Sequence, residues 1–568
     1  MSRPDARAVL AGIGLFQGFV IWLMTDVWDE RPLELRSAAI GFVVAGGLTA
    51  QFTHTGSQRL RQAAVSLGFG AVIGAVSWWV FAQHGEPGFG DGVRAGTWAV
   101  AAFAALYVAM PFAEIWQRTG ELRFPYPELF KRSWASFFVG LIASLFTSVT
   151  ALLFVLWGAL FSLVEIDFFE EIFESEWFVA IVYAGVFGFG LAVGLEAERI
   201  TDALRRVLFA ICQVLLPVVA FVALLFGLVL PWTGLAPLWD TGHATPVLLG
   251  IVALLVLFGN AVYQDGSGAQ PYPLRLDLGV RAALAVTPLY VAVAAYSTWL
   301  RVGQYGLTPD RVWAFVAVFV CGCYAVSYAT AIVLGRSRWI AAIGRINVAL
   351  APVMVALALV LHTPLLDPLR RSASQQEGRL VRGDVTAEAF DYGLLRFELG
   401  HAGEAALARL ERDAGAADAA VVRERIAAVR GAENRWAWRK LGGDLGAEVQ
   451  FVTLPPFVVP EALRQVYAHD WGIDCTARGG CLAFEAGLSV ESLPVVCFAQ
   501  GTSRVYALRC FVERGDGWAL LGDLRTDENP PPTRDALIEQ LRARQGKPVE
   551  PAYRDFAIGG SVYRFGPR

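Results

Sequence analysis

The sequence predicts an α-helical polytopic membrane protein with about 11 transmembrane helices, followed by a helical segment and a small α+β soluble domain. Three observations predict this. Mean hydropathy is +0.48 and only 17% of the residues are charged, against about 25% in an ordinary soluble domain. Apolar stretches of about 20 residues recur through the first 362 positions, each long enough to cross a hydrocarbon core of roughly 30 Å. Beyond that point the pattern changes to amphipathic helical periodicity and then to short β-like runs punctuated by glycine. Lipid offers the backbone no hydrogen bonds, so the spans must be helices; they lack the polar alternation of a membrane barrel.

The spans are expected at about 8–25, 37–53, 63–82, 95–117, 134–164, 178–196, 207–230, 245–263, 279–300, 312–334 and 340–362. The first begins near Arg7 without a small-residue cleavage pattern after it, and reads as a retained signal anchor. The fifth is long enough to tilt or to end in an interfacial turn. The organisation is therefore 1–363 transmembrane, 364–431 helical juxtamembrane segment, 432–447 linker and 448–568 soluble domain.

Charge assigns the sides. One set of alternate connections holds Arg3, Arg7, Arg59, Arg61, Arg118, Arg123, Lys131, Arg132, Arg199, Arg205, Arg206, Arg275, Arg281, Arg336, Arg338 and Arg345, sixteen in all. The other holds Arg31, Arg36, Arg94, Arg301 and Arg311, five in all. Basic residues stay with the cytoplasmic face. The amino terminus is expected inside and, after an odd number of spans, the tail outside; in a bacterial inner membrane that is the periplasm.

The stretch LVEIDFFEEIFESEWF, Leu163 to Phe178, falls in an outer connection without a basic residue. Phe168, Phe169, Ile172 and Phe173 share one helical face, while Asp167, Glu170, Glu171 and Glu174 crowd the other. It reads as a short amphipathic helix on the outer membrane surface. A divalent-cation site and a funnel for a cationic substrate are the competing readings, although the glycine and aspartate spacing of a calcium cage is missing. No metal is expected.

Polar groups within or beside spans are default site candidates. Asn260, Tyr263, Gln264 and Asp265 gather at the inner end of the eighth span. Arg301, Gln304 and Tyr305 follow the ninth, and Arg345 and Asn347 open the last. Helix-to-helix hydrogen bonding or interfacial anchoring competes with a functional role for each. Glu114 lies one turn before Arg118, the spacing of an interfacial ion pair. The pairs Gly14/Gly18, Gly70/Gly74 and Gly190/Gly194 permit close helix packing.

Four of the seven cysteines, Cys475, Cys481, Cys497 and Cys510, lie in the tail. In an oxidising compartment they suggest two disulfides, with Cys475–Cys481 and Cys497–Cys510 the favoured pairing among three; zinc is the competitor. The span cysteines Cys212, Cys321 and Cys323 read as small packing residues. In the tail, residues 386–430 are helical in pattern. FVTLPP, LPVVCFAQ and RVYALRCFVE are strand candidates. RGDGWALLG supplies a hairpin turn, and EALRQVYAHDW and TRDALIEQLRAR are helices.

There is no GxxxxGK[ST], HExxH or GxSxG, so no cofactor is expected and catalysis is the less favoured class. The one enzymatic hint is the first outer connection, TDVWDERPLELR, with Asp29 and Glu30. Polytopic transferases using lipid-linked donors carry acids in such a loop, although generally a longer one.

Five stretches carry a family resemblance: NAVYQDG, WLRVGQYGLTPDRVWA, GRIN, PLLDPLRRSASQQEGRL and FDYGLLRFELG, between Asn260 and Gly400. The chain resembles, over roughly residues 10–400, a bacterial family of polytopic inner-membrane proteins classed only as a domain of unknown function (DUF4153-like). The resemblance implies many spans followed by a soluble region and supplies no catalytic residues. Envelope-associated transport or lipid or solute handling is the leading expectation. A membrane-anchored sensor or scaffold presenting a periplasmic interaction domain is the alternative, and a transferase the third. The lipid bilayer is the certain partner. An envelope lipid or a periplasmic protein is the further class the layout accommodates, and no basic cluster suggests nucleic acid.

Overall fold

The computed structural model describes residues 3–54, 58–83, 89–235, 243–264, 271–335, 338–413, 419–440, 451–454, 457–460, 462–463, 481–486, 493–500, 505, 507–515, 517–525, 531–543, 556–558 and 561–563. The chain divides into two compact units. One comprises Met1–Leu235, His243–Gln376 and Glu398–Ala402; the other comprises Ala236–Gly242, Glu377–Phe397 and Gly403–Arg568.

The first unit is helical. Among the described residues, eleven helices are long and apolar enough to cross a membrane. They are α1 (Arg3–Trp22, prolonged by a π turn, Leu23–Val27), α2 (Leu33–Phe52), α3 (Arg59–Ala82), α4 (Phe89–Thr119), α5 (Tyr126–Ser162), α7 (Glu176–Glu196), α8 (Glu198–Thr233), α9 (Ala244–Tyr263), α10 (Leu274–Tyr305), α11 (Pro309–Gly335) and α12 (Trp339–Val360). The short α6 (Phe168–Glu174) lies between α5 and α7, and α13 (Pro368–Val381) follows the last span.

Several helices overrun the apolar stretches that predict them. α5 starts at Tyr126 rather than near 134, and α8 at Glu198 rather than near 207. Hydropathy marks only the lipid-crossing part, and polar first turns extend a helix beyond it. At ~1.5 Å per residue, the 37 residues of α5 exceed a ~30 Å core. Val207, Val214, Phe221 and Leu228 of α8 are each more than half exposed, at a spacing of seven residues. That stripe suits contact with lipid chains, which replace water as its solvent.

Glycine sets the closest approaches. A Cβ on Gly14 would lie 2.1 Å from the Ala184 carbonyl oxygen, and one on Gly18 would lie 2.2 Å from that of Ala180. α1 therefore packs backbone to backbone against α7, a partner distant in sequence. Gly70 and Gly74 meet Phe42 and Ala38 of α2 in the same way, and Gly190 and Gly194 meet Ala143 and Val139 of α5. The small-residue pairs thus join helices of one chain.

In α6, Phe169 and Phe173 pack against Trp157, the first tilted and the second edge to face, while Phe169 also meets Phe161 and Phe173 also meets Phe154 and Phe178. The apolar face of this helix is thereby held on the ends of α5 and α7.

The second unit has helices α14 (Gly400–Asp413), α15 (Ala419–Gly431) and the short α16 (Arg435–Lys440). α14 opens at Gly400, directly after a π turn, Leu394–Glu398. α16 lies inside the stretch expected as a linker. Trp438 is fully buried, and Arg435 pairs with Asp391 at 2.9 Å.

The sheet runs β1 (Phe451–Thr453), β2 (Cys481–Glu485), β3 (Val495–Gln500), β4 (Ala507–Arg514) and β5 (Gly517–Arg525). β1 is parallel to β2 and the remaining pairs are antiparallel. Phe498 and Phe511 pack edge to face in its core. α17 (Arg534–Arg542) is capped by Thr533, which accepts from the Ala536 N–H. β6 (Phe556–Ile558) and β7 (Ser561–Tyr563) form a separate pair. The helix expected over EALRQVYAHDW lies largely outside the described residues.

Candidate functional site

Asn260 and Asn347 come together although α9 and α12 are far apart in sequence. The Asn347 amide donates to Asn260 Oδ1 at 2.8 Å and to the Tyr126 hydroxyl at 3.0 Å. The Tyr328 hydroxyl of α11 donates to Asn347 Oδ1 at 2.7 Å and accepts from the Asn260 amide at 2.8 Å. Four helices thus share one polar knot. Beside it, the Tyr263 hydroxyl donates to Asp277 Oδ1 at 2.7 Å; Asp277 also pairs with Arg281. The Arg281 guanidinium lies over Trp339, 5.0 Å from its ring centre. Gln264 ends α9 and borders the same place. The cavity there is about 10 Å³, about one probe sphere and too small for a substrate. These groups bond chiefly to one another and fasten helices.

The other expected residues do not join them. Asp265 lies outside the described residues. Arg345 is exposed, two residues before Asn347 and so on another face of the helix. Arg301, Gln304 and Tyr305 are exposed in the last turns of α10. The Tyr305 carbonyl accepts from Gln376 at 3.3 Å. Asp29 and Glu30 are exposed in the turn after α1, as are Glu171 and Glu174 on α6; Glu170 is half-buried. No group of three or more His, Cys, Asp or Glu that would hold a metal occurs among the described residues. Glu114 accepts from Arg118 at 2.9 Å and pairs with Arg132 as well.

A second buried knot escaped the sequence reading. Arg94 of α4 pairs with Asp367, both almost inaccessible. Asp367 Oδ1 also accepts from the Leu369 N–H at 2.9 Å and the Arg370 N–H at 3.5 Å, capping α13. His362 lies between Trp98 and Trp313, with centroids at 5.3 and 5.7 Å. Its Nδ1–H donates to the Ala358 carbonyl at 2.9 Å, and Nε2 is buried without a hydrogen-bond partner among the described residues. Burial holds its pKa below the usual histidine value, helped by Arg94 and opposed by the Ala358 bond and Asp367. The cavity here is about 20 Å³, the size of one water. Gln375 and Gln376 complete the arrangement: Gln375 accepts from the Leu307 N–H at 2.8 Å and Gln376 donates to the Leu307 carbonyl at 3.0 Å. The PLLDPLRRSASQQ stretch is therefore a clamp on the end of α10 and on α4.

In the second unit, Cys497 and Cys510 are directly opposed on β3 and β4 and joined in a disulfide. Cys475 and the side chain of Cys481 lie outside the described residues. Cys212, Cys321 and Cys323 are free thiols.

Among the described residues, one groove has ligand-sized room. A groove of about 510 Å³ lies among α3, α4 and α12, within the roughly 300–1,000 Å³ range of small-molecule sites. Small residues create it: Ala64 and Gly68 on α3, Ala105, Ala109 and Ala113 on α4. A Cβ at Gly68 would meet nothing within 4 Å. Trp116 and Phe124 border one end and Val355 and Leu359 the other. Its walls are apolar throughout. The signal in the sequence was small residues recurring on facing helices, which the same sequence also uses for close packing.

No curated protein and no solved structure matches the chain. Residues 38–410, from α2 into α14, match the family described as a domain of unknown function (DUF4153). The match runs through the groove, both polar knots and the clamp after the last span, and the chain belongs to that family.

Proposed function

We propose that this protein handles lipid, with the groove among α3, α4 and α12 receiving an acyl chain. The observation that carries the reading is the contrast between cavities. The polar knots enclose about 10 and 20 Å³, whereas the apolar groove encloses about 510 Å³. A carrier for a polar solute needs a polar chamber near the middle of the bilayer. An apolar groove between membrane helices suits a hydrocarbon chain, whose gain is packing against complementary walls rather than escape from water.

Length supports the reading. The groove extends along α4 from Ala105 to Trp116, which at ~1.5 Å per residue is about 16 Å. That is about half of a ~30 Å core, the depth of one leaflet. The proposal includes the orientation that charge favours: amino terminus in the cytoplasm, tail in the periplasm of a bacterial-type envelope. The Cys497–Cys510 disulfide suits an oxidising compartment.

Native mass spectrometry from a mild detergent, with lipid identification, tests the reading. Wild-type protein is expected to retain lipid stoichiometrically. Gly68→Phe, whose Cβ meets nothing within 4 Å, is expected to lose it. A wild-type protein without lipid, or a Gly68→Phe variant with undiminished lipid, would overturn the reading.

A further inference from the structure

We infer that the groove selects an anionic glycerophospholipid, whose phosphate headgroup sits at an arginine cluster beyond Trp116. This rests on the lipid-handling reading and adds a headgroup class and a leaflet.

Basic residues neighbour the Trp116 and Phe124 end of the groove along the chain, and Arg61 reaches the turn between them. Arg118 lies two residues past Trp116, and Arg123 immediately precedes Phe124. Arg61 lies one turn before Ala64 on α3. Its guanidinium spans the Gly120 turn: Nη1 donates to the Gln117 carbonyl at 3.4 Å, and a Cβ on Gly120 would lie 2.7 Å from Nη1. Gly120, at φ +75°, makes that approach possible, since a side chain there would displace Arg61. Arg59 is exposed at the start of the same helix. The far end is lined by Val355 and Leu359, and the Arg94–Asp367 pair toward that end of α4 is mutually neutralised.

The acids nearby do not cancel this charge. Glu114 is shared by Arg118 and Arg132, and Glu128 faces Arg132 at 2.7 Å. Glu121 is exposed in the turn. Arg59, Arg61 and Arg123 have no carboxylate partner among the described residues. The groove therefore has one cationic end and one apolar end, about 16 Å apart by the rise of α4. That matches a lipid with an anionic head and a single-leaflet chain. Trp116 lies at the junction, the depth at which tryptophan anchors to the headgroup layer. The ligand would come from the leaflet on the arginine-rich side.

The test is lipid competition on the full chain. Delipidated protein is reconstituted into nanodiscs with equimolar phosphatidylglycerol and phosphatidylethanolamine of identical chains. It is then re-extracted in mild detergent and its retained lipid identified by native mass spectrometry. Wild type is expected to be enriched in phosphatidylglycerol. Each arginine near a membrane surface contributes about fivefold in affinity for an anionic lipid. Arg123→Gln is expected to reduce enrichment about fivefold, and Arg61→Gln with Arg123→Gln to abolish it while a lipid is still retained. Arg123 is exposed and has no hydrogen bond or ion pair among the described residues, so Arg123→Gln keeps the test valid should the Arg61 variant fail to fold. Undiminished enrichment in Arg123→Gln, or equal retention of both lipids by wild type, would overturn the headgroup inference and leave the acyl groove standing. Enrichment that survives Gly68→Phe would place the anionic site elsewhere and overturn the inference. Absence of any retained lipid in wild type would overturn both readings.

Discussion

Replacing Asp367 by asparagine isolates one buried charge. Asp367 makes two kinds of interaction. Oδ1 caps α13 through the Leu369 and Arg370 N–H groups, and Oδ2 faces Arg94. Asparagine keeps the acceptor for the cap, worth about 1 kcal/mol, and removes only the charge. The side chains of Arg94 and Asp367 are 5% and 2% exposed, so water does not screen the cation left behind. Removing one partner of such a pair costs about 3–5 kcal/mol, whereas replacing both by groups of similar volume costs much less. Asp367→Asn is therefore expected to destabilise the protein by about 3–5 kcal/mol, and Arg94→Met added to it to restore most of the loss. The assay is unfolding of the full chain by dodecyl sulfate titrated into mixed micelles, followed by tryptophan fluorescence. Trp98 and Trp313 flank His362 beside the pair and report on it. A single variant within about 0.5 kcal/mol of wild type, or a double variant no better than the single, would refute the reasoning.

Three further outcomes are expected. Gly14→Leu should lower stability by about 3 kcal/mol or more in the same titration, because its Cβ meets the Ala184 carbonyl at 2.1 Å. Gly12→Leu on the same helix meets nothing within 4 Å and should be near neutral. Folded His362 resists protonation, while the unfolded chain takes a proton below about pH 6.5. Stability is thus full above that value and falls as pH drops toward the lower folded-state pKa; a His362→Gln variant with the same acid sensitivity as wild type would show that another group is responsible. Trypsin added to intact spheroplasts should cut the tail and leave the connection at Arg59 and Arg61 whole. A tail protected until lysis would reverse the proposed orientation.

Much of the membrane unit was legible in the sequence. A span needs length and continuous hydrophobicity, both local properties, so eleven spans were readable in hydropathy. The Phe168, Phe169, Ile172 and Phe173 face of α6 was equally local, as were the Glu114–Arg118 spacing and the short apolar runs that mark β3 and β4. Element ends were less so. Tyr126 belongs to α5, and thereby to the Asn260–Asn347 knot, but it precedes the apolar stretch and carries no hydropathy signal.

By itself, the sequence determined the class of the molecule, its number of candidate spans, the polar residues available for knots and the charge difference between alternate connections. Only the tertiary structure decided which of these met. Arg94 and Asp367 are 273 positions apart, and no spacing rule connects them. Asn260 was a candidate from the outset, but Tyr328 became its partner only through helix packing. The groove is the extreme case, because it is made of missing side chains. Gly14 and Gly68 look alike in the sequence. One is pressed against Ala184 and the other faces open space, and that difference arises from the neighbouring helix, not from the residue.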